Sequence, residues 1–188
     1  MKKLAPIVLV ALAAGLAAPG CVGTIVKETA GVALGAKGTF MPIQPVAADK
    51  EARPLGDYKR FEIGPISDDI AGKTPENFLG LLPAAFRKQI EKAELPDEPG
   101  GKTLLIRGKI IHYESSGTLG FALGPLEEVI VRTELVDKDT GKVLGLANCI
   151  GRTTERVNVG VEEKAEGLAK AFVKWIEARY PEKEGNRE

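Results

Sequence analysis

The sequence predicts an α/β (α+β) two-layer sandwich: a mainly antiparallel sheet with two amphipathic helices packed on one face. Three observations predict it. Four segments alternate apolar and polar residues as half-buried strands do, two more space their apolar residues by three and four, and Gly- or Pro-bearing turns separate them. Layers that are apolar on one side bury that side by stacking. The 188 residues suit one core with appendages, and 44% apolar with 28% charged residues is ordinary globular usage.

The folded part is expected over residues 57–181. "YKRFEIGPI" opens it as a short strand, with Phe61 and Ile63 alternating against charged neighbours. A helix follows, with Thr74 as N-cap and Pro75 at its first position; Phe78, Leu82, Ala85, Gln89 and Lys92 form its stripe, widened by Leu81, Phe86 and Ile90. Pro83 either kinks this helix or starts its regular part. "TLLIRGKIIHYES" reads as a strand with Leu104, Ile106, Gly108, Ile110 and His112 on one face, and Arg107, Lys109 and Tyr113 on the other. "EEVIVRTELVD" and "KVLGLANCIGRTTERVNV" are the next two strands, joined through "DKDTGK" as a tight hairpin with Gly141 where positive φ is needed. The last element, "VEEKAEGLAKAFVKWIEARY", aligns Val161, Ala165, Leu168, Phe172, Trp175, Ile176 and Arg179, and Pro181 stops it. Residues 182–188 form a charged tail.

Residues 1–20 read as an export signal: Lys2 and Lys3, an apolar run from Leu4 to about Ala18, then small residues before Cys21. A membrane-spanning helix needs roughly 20 apolar residues, more than lie between Pro6 and Pro19. "APGC" resembles the lipobox of bacterial lipoprotein signals. That resemblance implies cleavage before Cys21 and lipid attachment at its thiol, where each buried methylene contributes about 0.8 kcal/mol of anchoring. Val22 stands where Asp signals inner-membrane retention, which implies the outer membrane, inner leaflet, facing the periplasm. The plainer alternative makes Cys21 the end of an ordinary cleaved signal. Residues 21–56, rich in Gly, Ala and Pro, are expected to tether the domain to the lipid, with "TFMPIQP" as an optional edge strand. Gly31 and Gly35 have a G-x-x-x-G spacing, but no apolar helix surrounds them.

Lys+Arg and Asp+Glu both number 26, and loss of Lys2 and Lys3 with the leader leaves −2, so nucleic acid is not an expected partner. Cys149 is the one other cysteine, and no disulfide framework is possible within the mature chain. His112 is the only histidine, which rules out multi-histidine zinc sites and gives any hydrolytic triad a single centre. A meander would put His112 and Cys149 on non-adjacent strands, about 10 Å apart, whereas a nucleophile–base dyad needs about 3 Å. "DKDTG" looks like the start of a calcium loop but lacks the downstream ligands, and a turn accounts for it. The adjacent pairs Asp68–Asp69 and Glu127–Glu128 would point apart in a strand and read as solvated charge. No catalytic residue, cofactor or metal site is therefore expected. In "SSGTLGFALGPL", Leu119, Phe121 and Leu123 alternate with small residues: the loop either folds over the sheet or presents these side chains to a partner.

The Gly-rich "GTLGFALGP", the strand "VIVRTELVD", the "D-x-x-T-G-K-V-L" hairpin and the terminal amphipathic helix resemble, in that order, a family of uncharacterised bacterial lipoproteins with a domain of unknown function. More distantly the chain is similar to the curli-secretion lipoprotein and the amino-terminal domain of TolB. The resemblance implies an α/β sandwich that contacts other envelope proteins. The leading expectation is a lipid-anchored, non-enzymatic periplasmic binding or scaffolding module. The alternatives are an auxiliary lipoprotein of an ABC-type envelope transporter and a periplasmic hydrolase using His112.

Overall fold

A computed structural model describes residues 36–47, 53–114, 127–153 and 160–182. Along the chain run β1 (Lys37–Gln44), β2 (Arg60–Asp68), α1 (Phe78–Lys92), β3 (Thr103–Tyr113), β4 (Glu127–Asp137), β5 (Val143–Thr153) and α2 (Gly160–Glu177). The five strands form one sheet in the order β1-β5-β4-β3-β2. Only β2 and β3 pair in parallel, because α1 carries the chain back between them; the other pairings are antiparallel. Both helices lie on the same side of the sheet, where Phe78, Leu82 and Phe86 of α1 and Leu168, Phe172 and Ile176 of α2 join the inward residues of the strands in one core. This is the two-layer α+β sandwich that the patterning predicts.

The β4–β5 hairpin forms as its turn residues require. Gly141 has φ +69, and its N–H donates to Asp137 O at 2.9 Å. The second half of the domain is joined through backbone-on-backbone packing. A Cβ at Gly151 of β5 would lie 2.5 Å from Leu168 N and 2.6 Å from Lys164 O, and one at Gly38 of β1 would collide with Gly167 O and Ala171 N. Glycine at these sites lets α2 rest directly on β1 and β5. Two lysines of α2 then reach over β1: Lys170 Nζ donates to Ala36 O and Lys174 Nζ to Gly38 O, each at 2.9 Å.

Three expectations require correction and one choice is resolved. The edge strand allowed at "TFMPIQP" forms over Lys37–Gln44, where Phe40 stacks on Trp175 and β5 leaves an open ladder edge, so the tether cannot run through 21–56 as expected; Leu55, near the end of that segment, is fully buried. Thr74 does not cap α1: the N-cap is Asn77, without a side-chain cap bond, and Thr74 Oγ1 is buried without a hydrogen-bond partner among the described residues. Helix α1 runs through Pro83 rather than restarting there. The outer half of β3 has reversed sides, because a bulge between Ile110 and His112 puts two steps of β3 against one of β4. Period-two alternation is broken there, so Tyr113 turns into the core and His112 out to solvent.

Candidate functional site

Both helices cover one face; among the described residues no helix covers the other face of the sheet, which with the β1 edge is the candidate surface for a partner. Strand register lays Met41, Asn148, Arg132, Lys109 and Ser67 in a row across all five strands. Among the described residues Met41 (59% exposed) and Ile43 (49%) are the large apolar side chains most open to water, and both lie on β1. Cross-strand ion pairs pattern the rest of the face: Arg152–Glu128 at 2.9 Å, Arg107–Glu134 at 2.6 Å and Lys138–Glu62 at 2.6 Å. Such exposed pairs add at most about 1 kcal/mol each, so they shape the surface more than they stabilise the fold.

His112 sits at one end of this face. Its Nε2 lies 3.9 Å from Glu114 Oε2 and 3.9 Å from Glu128 Oε1, beyond hydrogen-bond reach. Cys149 is fully buried on the core side of β5, and burial pushes its thiol up to about 12, which keeps it protonated and unreactive at neutral pH. The two residues are on non-adjacent strands, as a meander predicts, and on opposite faces as well. A Cys–His dyad is therefore excluded by geometry.

At the same end, on the core side, lies a constellation that the sequence reading missed. Lys164 is 1% exposed; its Nζ is 2.6 Å from Glu127 Oε2, donates to Glu114 O at 2.6 Å, and stands 4.4 Å from the centre of the Tyr113 ring. Glu127, 6% exposed, is thus a buried ion-pair partner and not solvated charge, while Glu128, its neighbour, faces out. Burial, then the Glu127 carboxylate, pushes Tyr113 up to about 12, and its hydroxyl has no hydrogen-bond partner among the described residues. Two signals were available. Lys164 stands three residues after Val161 and four before Leu168, on the helix's apolar stripe, and Glu127 has the parity of Val129 and Val131. A charge in phase with the core needs a buried counter-charge.

The hairpin aspartate answers the calcium question. Asp137 Oδ1 accepts the N–H groups of Asp139 (3.1 Å) and Thr140 (2.9 Å), and Oδ2 accepts from Tyr58 Oη (2.8 Å) and Lys102 Nζ (3.0 Å). Its oxygens are used in shaping the turn and tying it to the chain before β2. Among the described residues no three His, Cys, Asp or Glu side chains gather as a metal site. The Thr140 N–H, with Lys102 and Tyr58, holds the Asp137 carboxyl well below the usual carboxylate range. A lowered folded-state pKa stabilises the fold above the unfolded value near 3.9, and that share is lost as pH falls through the folded value. Asp137→Asn is expected to lower the melting temperature at pH 7, with the gap to the parent closing below about pH 4; thermal melts across pH 2–8 measure it.

Asp68 and Asp69 also serve separate ends: Asp68 Oδ1 accepts the Ile70 N–H at 2.9 Å, and Asp69 pairs with Lys109 at 3.0 Å. Cys21, and the loop bearing Leu119, Phe121 and Leu123, lie outside the described residues.

Two solved structures of the PelC dodecamer from Paraburkholderia phytofirmans are similar to this chain. One, a point variant, is 16% identical with a TM-score of 0.49, covering 76% of this chain and 98% of its own. The other is 15% identical with a TM-score of 0.41, covering 78% and 99%. No family model and no curated protein matches the chain.

Proposed function

We propose that the protein is a lipid-anchored periplasmic lipoprotein of the outer membrane whose sandwich domain binds or scaffolds other envelope proteins without catalysing a reaction. The observation that carries this reading is the run from Lys2 to Cys21: basic start, apolar stretch, small residues, then the thiol. A domain whose helices lie on one face of the sheet supports the binding half, because among the described residues the opposite face presents a mixed charged and apolar surface with Met41 and Ile43 exposed along its edge strand. The hydrolase alternative pairs His112 with a carboxylate; its Nε2 stands 3.9 Å from both Glu114 Oε2 and Glu128 Oε1, too long for the hydrogen bond that would orient a catalytic imidazole, and this weighs against it. The loop residues Leu119, Phe121 and Leu123 are the proposed partner contacts on the same reading.

The test is to express the parent and Cys21→Ser chains in a bacterium with two membranes, separate the membranes and weigh the purified products. The parent is expected in the outer-membrane fraction as a polypeptide beginning at Cys21 and heavier by its acyl groups. Cys21→Ser is expected to lose both the added mass and the fractionation. An acyl-free parent, or a variant that fractionates unchanged, would overturn the reading.

A further inference from the structure

Arg132 stands out on the sheet face opposite the helices. It is exposed and has no side-chain hydrogen bond or ion pair among the described residues, whereas Arg107, Arg152, Lys109 and Lys138 of the same region are each paired. Its register partner on β3 is Lys109, so two cations are directly opposite on one face. Like charges in that position repel across about 5 Å, an arrangement that costs stability. Asn148, its partner on β5, does not relieve it: Asn148 Oδ1 is buried without a hydrogen-bond partner among the described residues.

Beside this pair the outer surface of the sheet is hollowed. Strand β2 is irregular between Ile63 and Ile66, and next to Pro65 a hollow of about 290 Å³ is walled by Ser67, Arg107, Lys109, Arg132 and Glu134. Asp69 holds Lys109 at 3.0 Å and Glu134 holds Arg107 at 2.6 Å, so the excess charge of the hollow resides on Arg132. A guanidinium offers a planar fork of donors that fits the oxygens of a carboxylate or a phosphate, and Lys109 lines the same hollow, as does Ser67, whose hydroxyl donates to Asp69 Oδ1 at 3.4 Å.

We propose that this hollow is a binding site for a single oxyanion group, phosphate or carboxylate, held by the fork of Arg132 with Lys109 as second cation. The anion would neutralise Arg132, the member of the opposed pair without a counter-charge among the described residues, so the arrangement that costs the free domain stability becomes favourable when the site is filled. The proposal is independent of the lipid anchor, which nothing in it requires.

The experiment titrates the full chain with sodium phosphate and, separately, sodium acetate at constant ionic strength set by chloride, following the Arg132 Nε–H signal by nitrogen-resolved NMR. The expected result is a saturable shift at Arg132 with one of the two anions, accompanied by Lys109 and Ser67, while Arg152 stays unmoved. Saturation by phosphate assigns phosphate chemistry, and saturation by acetate assigns carboxylate chemistry. For phosphate, vesicles of phosphatidylglycerol then separate the sources: loss of the Arg132 signal on these but not on phosphatidylcholine assigns a lipid headgroup, and an unchanged signal assigns a soluble ligand. Arg132→Gln is expected to weaken binding at least tenfold and to raise the melting temperature of the anion-free protein. A linear response shared by all exposed cations, or a lower melting temperature in Arg132→Gln, would overturn the proposal.

Discussion

Replacing Lys164 by Ala is expected to cost about 3–5 kcal/mol of unfolding free energy, because it leaves the Glu127 carboxylate buried without its ammonium and takes a donor from Glu114 O. Urea denaturation at pH 7 measures it. Lys164→Met keeps most of the side-chain volume and separates the charge from the packing. In that variant Glu127 gains by taking up a proton, so its folded-state pKa rises above the unfolded value near 4.3. The defect is therefore expected to be small below about pH 4 and to grow as pH rises above it. Pairing Lys164→Met with Glu127→Leu removes both charges, and the double variant is expected to recover most of the loss. An exposed ion pair would give less than about 1 kcal/mol in every arm, so a small effect of Lys164→Ala would contradict the burial described here.

Gly151→Ala is the second large effect. The added methyl meets Leu168 N and Lys164 O, both backbone atoms of α2, so no rotamer change can make room and the helix itself must move. Overpacking of this kind costs about 1–3 kcal/mol, and the upper end is expected because α2 also holds β1 through Gly38 and Gly167. Thermal melts read the loss, and earlier proteolysis near β1 reads its direction. The contrasting substitution is Gly80→Ala on the exposed side of α1, where a Cβ meets nothing within 4 Å. There the same methyl reduces the entropy of the unfolded chain and is expected to stabilise by about 0.5–1 kcal/mol.

The contrast between these two glycines explains which parts of the fold could be read from the sequence. Helix α2 was legible because Ala165, Leu168, Phe172 and Ile176 repeat at helical spacing, and β4 because Val129, Val131, Thr133 and Leu135 keep a period of two with a single polar member. The hairpin was legible because Gly141 has a local reason to be glycine. Gly151 and Gly38 have none: they answer to a helix that follows them in sequence, and the apparent interruption of β5 by glycine is in fact its contact with α2. The same distinction holds at β3, where alternation placed Ile106 and Ile110 correctly but carried no sign of the bulge that turns His112 outward. Strand β1 was legible only as an optional edge strand because Gly38 and Pro42 weaken its own propensity, and it is held by β5, Trp175 and two lysines of α2. The candidate face was less legible than the fold. That Arg132 and Lys109 stand opposite one another depends on strand register, which composition does not encode.

The contacts on β1 also tie the two ends of the domain together. Lys170 reaches a carbonyl 134 positions earlier in the chain, and the ladder of β1 is with β5, so the first strand is seated only after most of the chain is present. Closing so long a loop is entropically slow and is rewarded only at the end. A chain made amino terminus first therefore keeps its opening strand waiting until β5 arrives, and a premature stop before that strand would release the very segment made first.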